Sequence, residues 1–208
     1  MKIFTFNIIT SWSEVSLELF DQISQITGEP YEQVPKLLSI LSSASEEEIR
    51  SISVTDFERA GIPEKLAFLS TAPKKRMPSE KLTLGGRKFD VSLYPNKWTA
   101  GQYLDYTSVM GSDTDRKLAK LIACFCVPEG HKYGDGYDFD ELVTFLYKNM
   151  SIETALGYAG FFQLQLTAFG KALRACSERK RRRSTRRLGN LLKRKPQAGS
   201  TSSGTTLS

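Results

Sequence analysis

The chain has 208 residues, 40% of them hydrophobic and 25% charged, which suits a globular protein with one ordinary core or two small ones. No run approaches the roughly 20 apolar residues needed to span a bilayer, and Met1 to Ile9 lacks the apolar stretch and cleavage site of a secretion signal, so a cytoplasmic place of synthesis is expected. The formal charge of +6 hides a division: Lys171 to Lys195 holds 12 basic residues and one acid, Glu178, a net +11, whereas residues 1–170 carry 17 basic and 22 acidic residues, a net −5.

In chain order, Met1 to Ile9 alternates like a short strand. Ser11-Trp12-Ser13-Glu14 then has the Ser and Glu three apart of a capping box, and Val15, Leu19, Ile23 and Ile26 continue an apolar helical stripe. Gly28-Glu29-Pro30 breaks it. Pro35 to Leu41 reads as the start of another helix, because proline is tolerated in a first turn. Ser45-Glu46-Glu47-Glu48 is a further capping box with its acids at the positive helix end. Short helices near Thr55 to Arg59 and Pro63 to Ser70 complete an N-terminal helical unit over 1–70.

Thr71 to Glu80, with two prolines and the triplet Lys74-Lys75-Arg76, reads as a linker whose charges are a solvated spacer. A hairpin follows, in which Leu82 and Leu84 lead into Gly85-Gly86 and then Phe89, Val91 and Leu93 alternate. At Trp98-Thr99-Ala100-Gly101-Gln102-Tyr103, Thr99 and Gln102 form a capping box with Trp98 and Tyr103 at the staple positions, which predicts a helix from Ala100 to about Met110. Gly111-Ser112-Asp113 ends it and caps a second, with Leu118, Leu121, Ile122 and Phe125 on one face and Pro128 as its stop. Beyond the glycine-rich turn Glu129 to Tyr137, Asp138 caps a third helix with Phe139, Leu142, Val143 and Leu146 inward. Ser151 caps a fourth, whose apolar set runs Ile152, Ala155, Leu156, Ala159, Phe162, Leu166, Phe169 and Leu173. The expected class is α+β and predominantly helical: compact helical groups with a short N-terminal strand and a central hairpin, a core unit over 81–173, and a basic, disordered extension over 174–208.

Catalytic signals are weak. His131 is the single imidazole and lies in a glycine-rich turn with no nucleophile beside it in sequence. Asp135, Asp138, Asp140 and Glu141 fail the calcium-loop pattern, because Tyr137 and Phe139 occupy ligand positions, and Gly134-Asp135-Gly136 lacks the lysine and the preceding strand of a phosphate loop. Cys124 and Cys126, two apart on an expected helix, read as buried free thiols rather than a disulfide or metal pair. No catalytic residue, metal or cofactor is therefore expected. The stronger feature is the run Arg179, Lys180, Arg181, Arg182, Arg183, Arg186 and Arg187, which suits salt-sensitive, nonspecific contact with nucleic-acid phosphates or with another anionic partner, or else serves as a solubilising extension.

The segments Trp98 to Asp105, Leu121 to Tyr133 (Leu-Ile-Ala-Cys-Phe-Cys-Val-Pro-Glu-Gly-His-Lys-Tyr) and Phe161-Phe162 resemble small structural or assembly proteins of tailed bacteriophages, with the tail assembly chaperones as the nearest group, in a layout covering about Ser11 to Leu173. The resemblance implies a non-enzymatic, mostly helical protein of the host bacterial cytoplasm that holds a tail client, chiefly the tape measure, until the tube polymerises. Apolar grooves would receive amphipathic helices of the client. The arginine-rich end does not match that group, which leaves open a nucleic-acid-binding accessory or packaged virion protein as the alternative.

Overall fold

The computed structural model describes residues 7–42, 44–168, 170, 171 and 178. The chain divides into two units, residues 1–165 and 166–208. The architecture is α+β and mainly helical, with one small antiparallel sheet. The helices are α1 (Leu17–Ser24), α2 (Pro30–Leu41), α3 (Glu46–Arg50), α4 (Val54–Arg59), α5 (Ile62–Leu66), α6 (Ala100–Gly111), α7 (Lys117–Ala123), α8 (Phe139–Asn149) and α9 over residues 152–168. The strands are β1 (Lys81–Leu84), β2 (Arg87–Val91) and β3 (Cys126–Pro128), in the order β1-β2-β3.

Where local chemistry is strong, expectation and structure coincide. Gly85 and Gly86 both take positive φ, 50° and 76°, so the two-residue turn has the twist a tight hairpin needs, and Leu82 pairs with Phe89. Both atoms of the Thr99 capping box engage: the Thr99 amide donates to Gln102 Oε1 at 2.9 Å and the Gln102 amide to Thr99 Oγ1 at 3.2 Å. The Ser45 box closes in the same way. Asp138 accepts from the Asp140 and Glu141 amides and starts α8, which turns Leu142, Val143 and Leu146 inward.

Four boundaries differ. Gly111-Ser112-Asp113 ends α6 but does not cap the next helix, because α7 begins only at Lys117, after Arg116 at positive φ and with no side-chain cap. The first helix begins at Leu17 with Ser16 as its cap, not at Ser11, because Val15 and Ser16 are held extended by tertiary pairing. Ser16 bridges Ser151, the Leu17 amide donates to the Met150 carbonyl, and the Ile152 amide donates to the Val15 carbonyl. This pairing ties α1 to the junction of α8 and α9, within the unit 1–165. α2 starts at Pro30, so Pro35 lies inside the helix rather than at its start and withholds one amide from the ladder. The second helix of the later half stops at Ala123, and the expected helical residues beyond it become β3, where Val91 pairs with Cys126 and Phe89 with Pro128. Leu121 to Val127 is apolar throughout, and such a run carries no period that separates helix from strand. Of the expected N-terminal strand, Met1 to Phe6 lie outside the described residues and Asn7 to Ile9 are not in a strand, although the Ile9 amide donates to the Leu41 carbonyl.

The main core gathers around Phe125, which is fully buried. Trp98 lies 4.5 Å from it between ring centroids, Phe162 4.4 Å and Tyr106 5.2 Å, all in tilted rather than sandwiched pairs. The Trp98 indole donates to the Ser92 carbonyl, so its polar edge is satisfied. A smaller cluster of Leu38, Ala44, Ile49 and Ile62 joins α2, α3 and α5.

Residues 71–80, expected as a linker, run as an extended strap along α9 within the unit 1–165. The Trp12 indole donates to the Thr71 carbonyl at 2.7 Å, the Lys74 amide to the Glu153 carboxylate and the Arg76 amide to the Glu153 carbonyl, both at 3.1 Å. Tyr158 Oη donates to the Ser79 carbonyl and accepts from the Ser79 amide. Gly157 makes this approach feasible: a Cβ there would overlap the Arg76 carbonyl oxygen and lie 2.9 Å from its carbon. A glycine inside a helix costs roughly 0.5–1 kcal/mol relative to alanine, and here its bare surface is what lets the strap sit down.

Candidate functional site

The glycine-rich turn 129–138 stands beside the hairpin and leaves a groove of about 600 Å³, walled by Arg87, Lys88 and Phe89 of β2, Pro128 and Glu129 at the end of β3, Gly136 to Asp138, and Glu141 and Leu142 of α8. Both neighbours follow from sequence: the tight turn places β2, and the Asp138 cap fixes where α8 begins. Most of the charges are already committed. Arg87 lies 4.6 Å from the Phe145 ring centroid and 3.5 Å from Glu141, Lys81 bridges Asp90 and Glu129, and Asp138 Oδ1 serves two helix amides. The Tyr137 hydroxyl is buried and has no partner at hydrogen-bonding geometry among the described residues, and burial raises its pKa; the nearby Gly134 backbone opposes this more weakly. The groove lining combines the apolar Phe89, Pro128 and Leu142 with charges of both signs, Arg87 and Lys88 against Glu129, Asp138 and Glu141.

His131 folds back over its own turn. A Cβ on Gly136 would stand 2.6 Å from His131 Nδ1, and the ring meets Tyr137 edge-on at 6.2 Å between centroids. Among the described residues no hydrogen bond orients the imidazole, and Asp135 is exposed, its amide closing a turn on the Lys132 carbonyl. The turn is anchored instead by Tyr133, whose hydroxyl donates to Asp105 of α6 at 2.6 Å; burial, followed by that bond, raises its pKa strongly. Cys124 and Cys126 are buried free thiols. Burial pushes Cys124 up to about 12 and Cys126 higher still, so neither is a ready nucleophile. The described residues include no group of three or more His, Cys, Asp or Glu placed to hold a metal ion.

No family model matches this chain, and no curated protein and no solved structure matches it. The geometry therefore stands alone. The sequence-predicted contact residues Arg179, Lys180, Arg181, Arg182, Arg183, Arg186 and Arg187 lie outside the described residues. Trp98, Phe125 and Phe162 come from three separate segments and meet in one aromatic cluster, in which Phe125 and Phe162 are buried and Trp98 half-buried. Sequence reasoning missed the strap. Its signal was the pair Gly157 and Gly160 within a helical pattern, since a glycine there costs stability unless packing against another element uses its bare surface.

Proposed function

We propose that this chain is a non-enzymatic assembly factor of a tailed bacteriophage, a tail assembly chaperone that binds the tape measure or another tail component in the host cytoplasm. The observation that carries the reading is the convergence of Trp98, Phe125 and Phe162. What resembles the phage proteins is a packing unit, which suits a binding protein whose surface varies over a retained core. The idle His131, the high thiol pKa values and the committed charges of the groove favour binding over turnover. Among the described residues no helix is long and apolar enough to cross a membrane. Exposed Tyr31, Val34, Val54 and Leu104 add apolar surface for a client's amphipathic helices.

A second reading is favoured by the charge division: a net +11 over Lys171 to Lys195 suits a nucleic-acid-binding or packaged virion protein. Co-purification separates the two. The full chain, and a full-length variant with Gln at the seven basic positions from Arg179 to Arg187, are expressed with the virion proteins of the source and treated with nuclease. Recovery of the same tail protein by both supports the chaperone. Loss of every partner from the variant, and from the nuclease-treated wild type, replaces it with the nucleic-acid reading.

A further inference from the structure

The strap changes the meaning of Lys74-Lys75-Arg76. As a free spacer the triplet would be three solvated charges. Instead its backbone is fixed to α9 at the Lys74 and Arg76 amides and again at Ser79, while Lys74, Lys75 and Arg76 are exposed. Among the described residues none of the three has an ion-pair partner. The nearby acids are engaged elsewhere: Glu153 accepts the Lys74 amide, and Glu80 pairs with Lys97 at 2.6 Å. Within residues 1–170, net −5, the strap is therefore a local cationic surface.

Apolar side chains accompany it. Positions 157, 160, 161 and 164 share one face of α9 by helical spacing. The strap covers the first two: Arg76 lies on Gly157, and the Lys75 side chain reaches within 3.8 Å of a Cβ built on Gly160. Tyr94 meets Phe161 edge-on at 6.1 Å, and Leu164, at the end of the row, is 72% exposed. Met77, next along the strap, is 86% exposed and Tyr94 46%. Large apolar side chains held this open beside cations with no ion-pair partner among the described residues are characteristic of an interaction surface.

We infer that the strap and the adjoining face of α9 form a docking surface for an acidic amphipathic helix, whose carboxylates meet Lys74, Lys75 and Arg76 while its apolar side chains cover Met77, Tyr94 and Leu164. Resting on the chaperone reading, this gives the client segment its chemistry. Charge complementarity selects an anionic partner. Met77 and Leu164 offer no face on which bases stack, and the Tyr94 ring is engaged by a T-shaped contact with Phe161 and by Lys97 Nζ at 5.8 Å from its centroid, which together favour a helix over a nucleic acid. Because the strap is already ordered, the cations lose little freedom on binding.

The test uses the full chain and two dye-labelled, amphipathic helical peptides, one with Leu and Glu at i, i+4 spacing and one with Gln replacing Glu, read by fluorescence anisotropy at 150 mM salt. A 20-nucleotide single-stranded DNA serves as the competing probe. Replacing Lys74, Lys75 and Arg76 with Gln changes only exposed side chains, leaves the strap's backbone bonds in place, and keeps the basic extension equal on both sides. We expect about a tenfold weaker Kd for the Glu peptide, since each exposed charge contributes only a fraction of a kcal/mol, and less than a twofold change for the Gln peptide. Leu164→Ser should weaken both peptides and leave DNA binding unaltered. G157A alters no surface charge but dislodges the strap, and should weaken the Glu peptide as well. Equal binding of the Glu peptide by wild type and triple variant overturns the inference, as does a loss confined to DNA. Capture of a tail protein by the triple variant as well as by wild type also overturns it, with the chaperone reading intact; peptide binding with the expected dependence but no tail partner leaves the surface standing and removes the phage reading.

Discussion

The aromatic cluster and the strap both grip α9, by opposite means. At Phe162 the helix is held by ring against ring, through buried area that tolerates small shifts of every partner. At Gly157 it is held main chain to helix, through the absence of a side chain, and no shift short of moving the strap can accommodate one. Side-chain packing is summed over many contacts and degrades by degrees, whereas a backbone approach is permitted or forbidden at one atom.

The largest expected effect lies in the cluster. F125A removes the ring shared by Trp98, Tyr106 and Phe162 and should cost about 3–5 kcal/mol, read as a lower midpoint in urea unfolding of the whole first unit. G157A should cost about 1–3 kcal/mol, the range for overpacking. Its signature is local: faster hydrogen exchange at the Lys74, Arg76 and Ser79 amides, while the amides of α8 stay protected. Exchange that accelerates uniformly across α8 and the strap would show that the two grips are one cooperative structure. T99A, which removes the cap of α6 without touching either grip, should cost about 1 kcal/mol and lower the thermal midpoint accordingly.

Alkaline pH acts on both grips, because burial raises the pKa of Tyr158, which holds the strap at Ser79, as well as that of groups in the core and on α8. Cys124 in the core is raised from 9.0 to about 12 by burial, and Tyr147 of α8 from 10.0 to about 12, by burial first and then by its bond to Asp21. Both keep their protons longer when folded, so stability is intact below pH 9 and falls between about pH 9 and 12 as the unfolded state releases protons first. Y147F should flatten that fall above pH 10, seen in unfolding midpoints across the range. The smallest effect is expected at Arg116, the one non-glycine with positive φ among the described residues, at 48°. R116G relieves the strain while losing the bond to Thr144 and the stacking on Tyr147, so a net change within about 1 kcal/mol is expected by denaturant titration.

Much of the fold was legible because local chemistry and tertiary environment agree. The Gly85-Gly86 turn, the capping boxes at Ser45 and Thr99, and the Asp138 cap each satisfy backbone groups within four residues, so no distant partner is needed to read them. The site was less legible. The arginine run lies outside the described residues, and the turn around His131 was readable as a turn but not as the wall of a groove.

What the sequence by itself determined was the α+β class, the hairpin, the helix caps at Ser45, Thr99 and Asp138, the charge division and the inward residues Leu142, Val143 and Leu146 of α8, all set by composition, periodicity and short-range hydrogen bonding; of the α9 set, Phe169 and Leu173 lie outside the described residues. Tertiary structure alone decided that Val15 and Ser16 are extended against Met150 to Ile152, that Cys126 to Val127 is strand rather than helix, and that residues 71–80 are strap rather than spacer. In each case the partner lies more than 30 residues away, and an extended segment whose amides are satisfied by a distant carbonyl carries no local pattern from which that partner can be read.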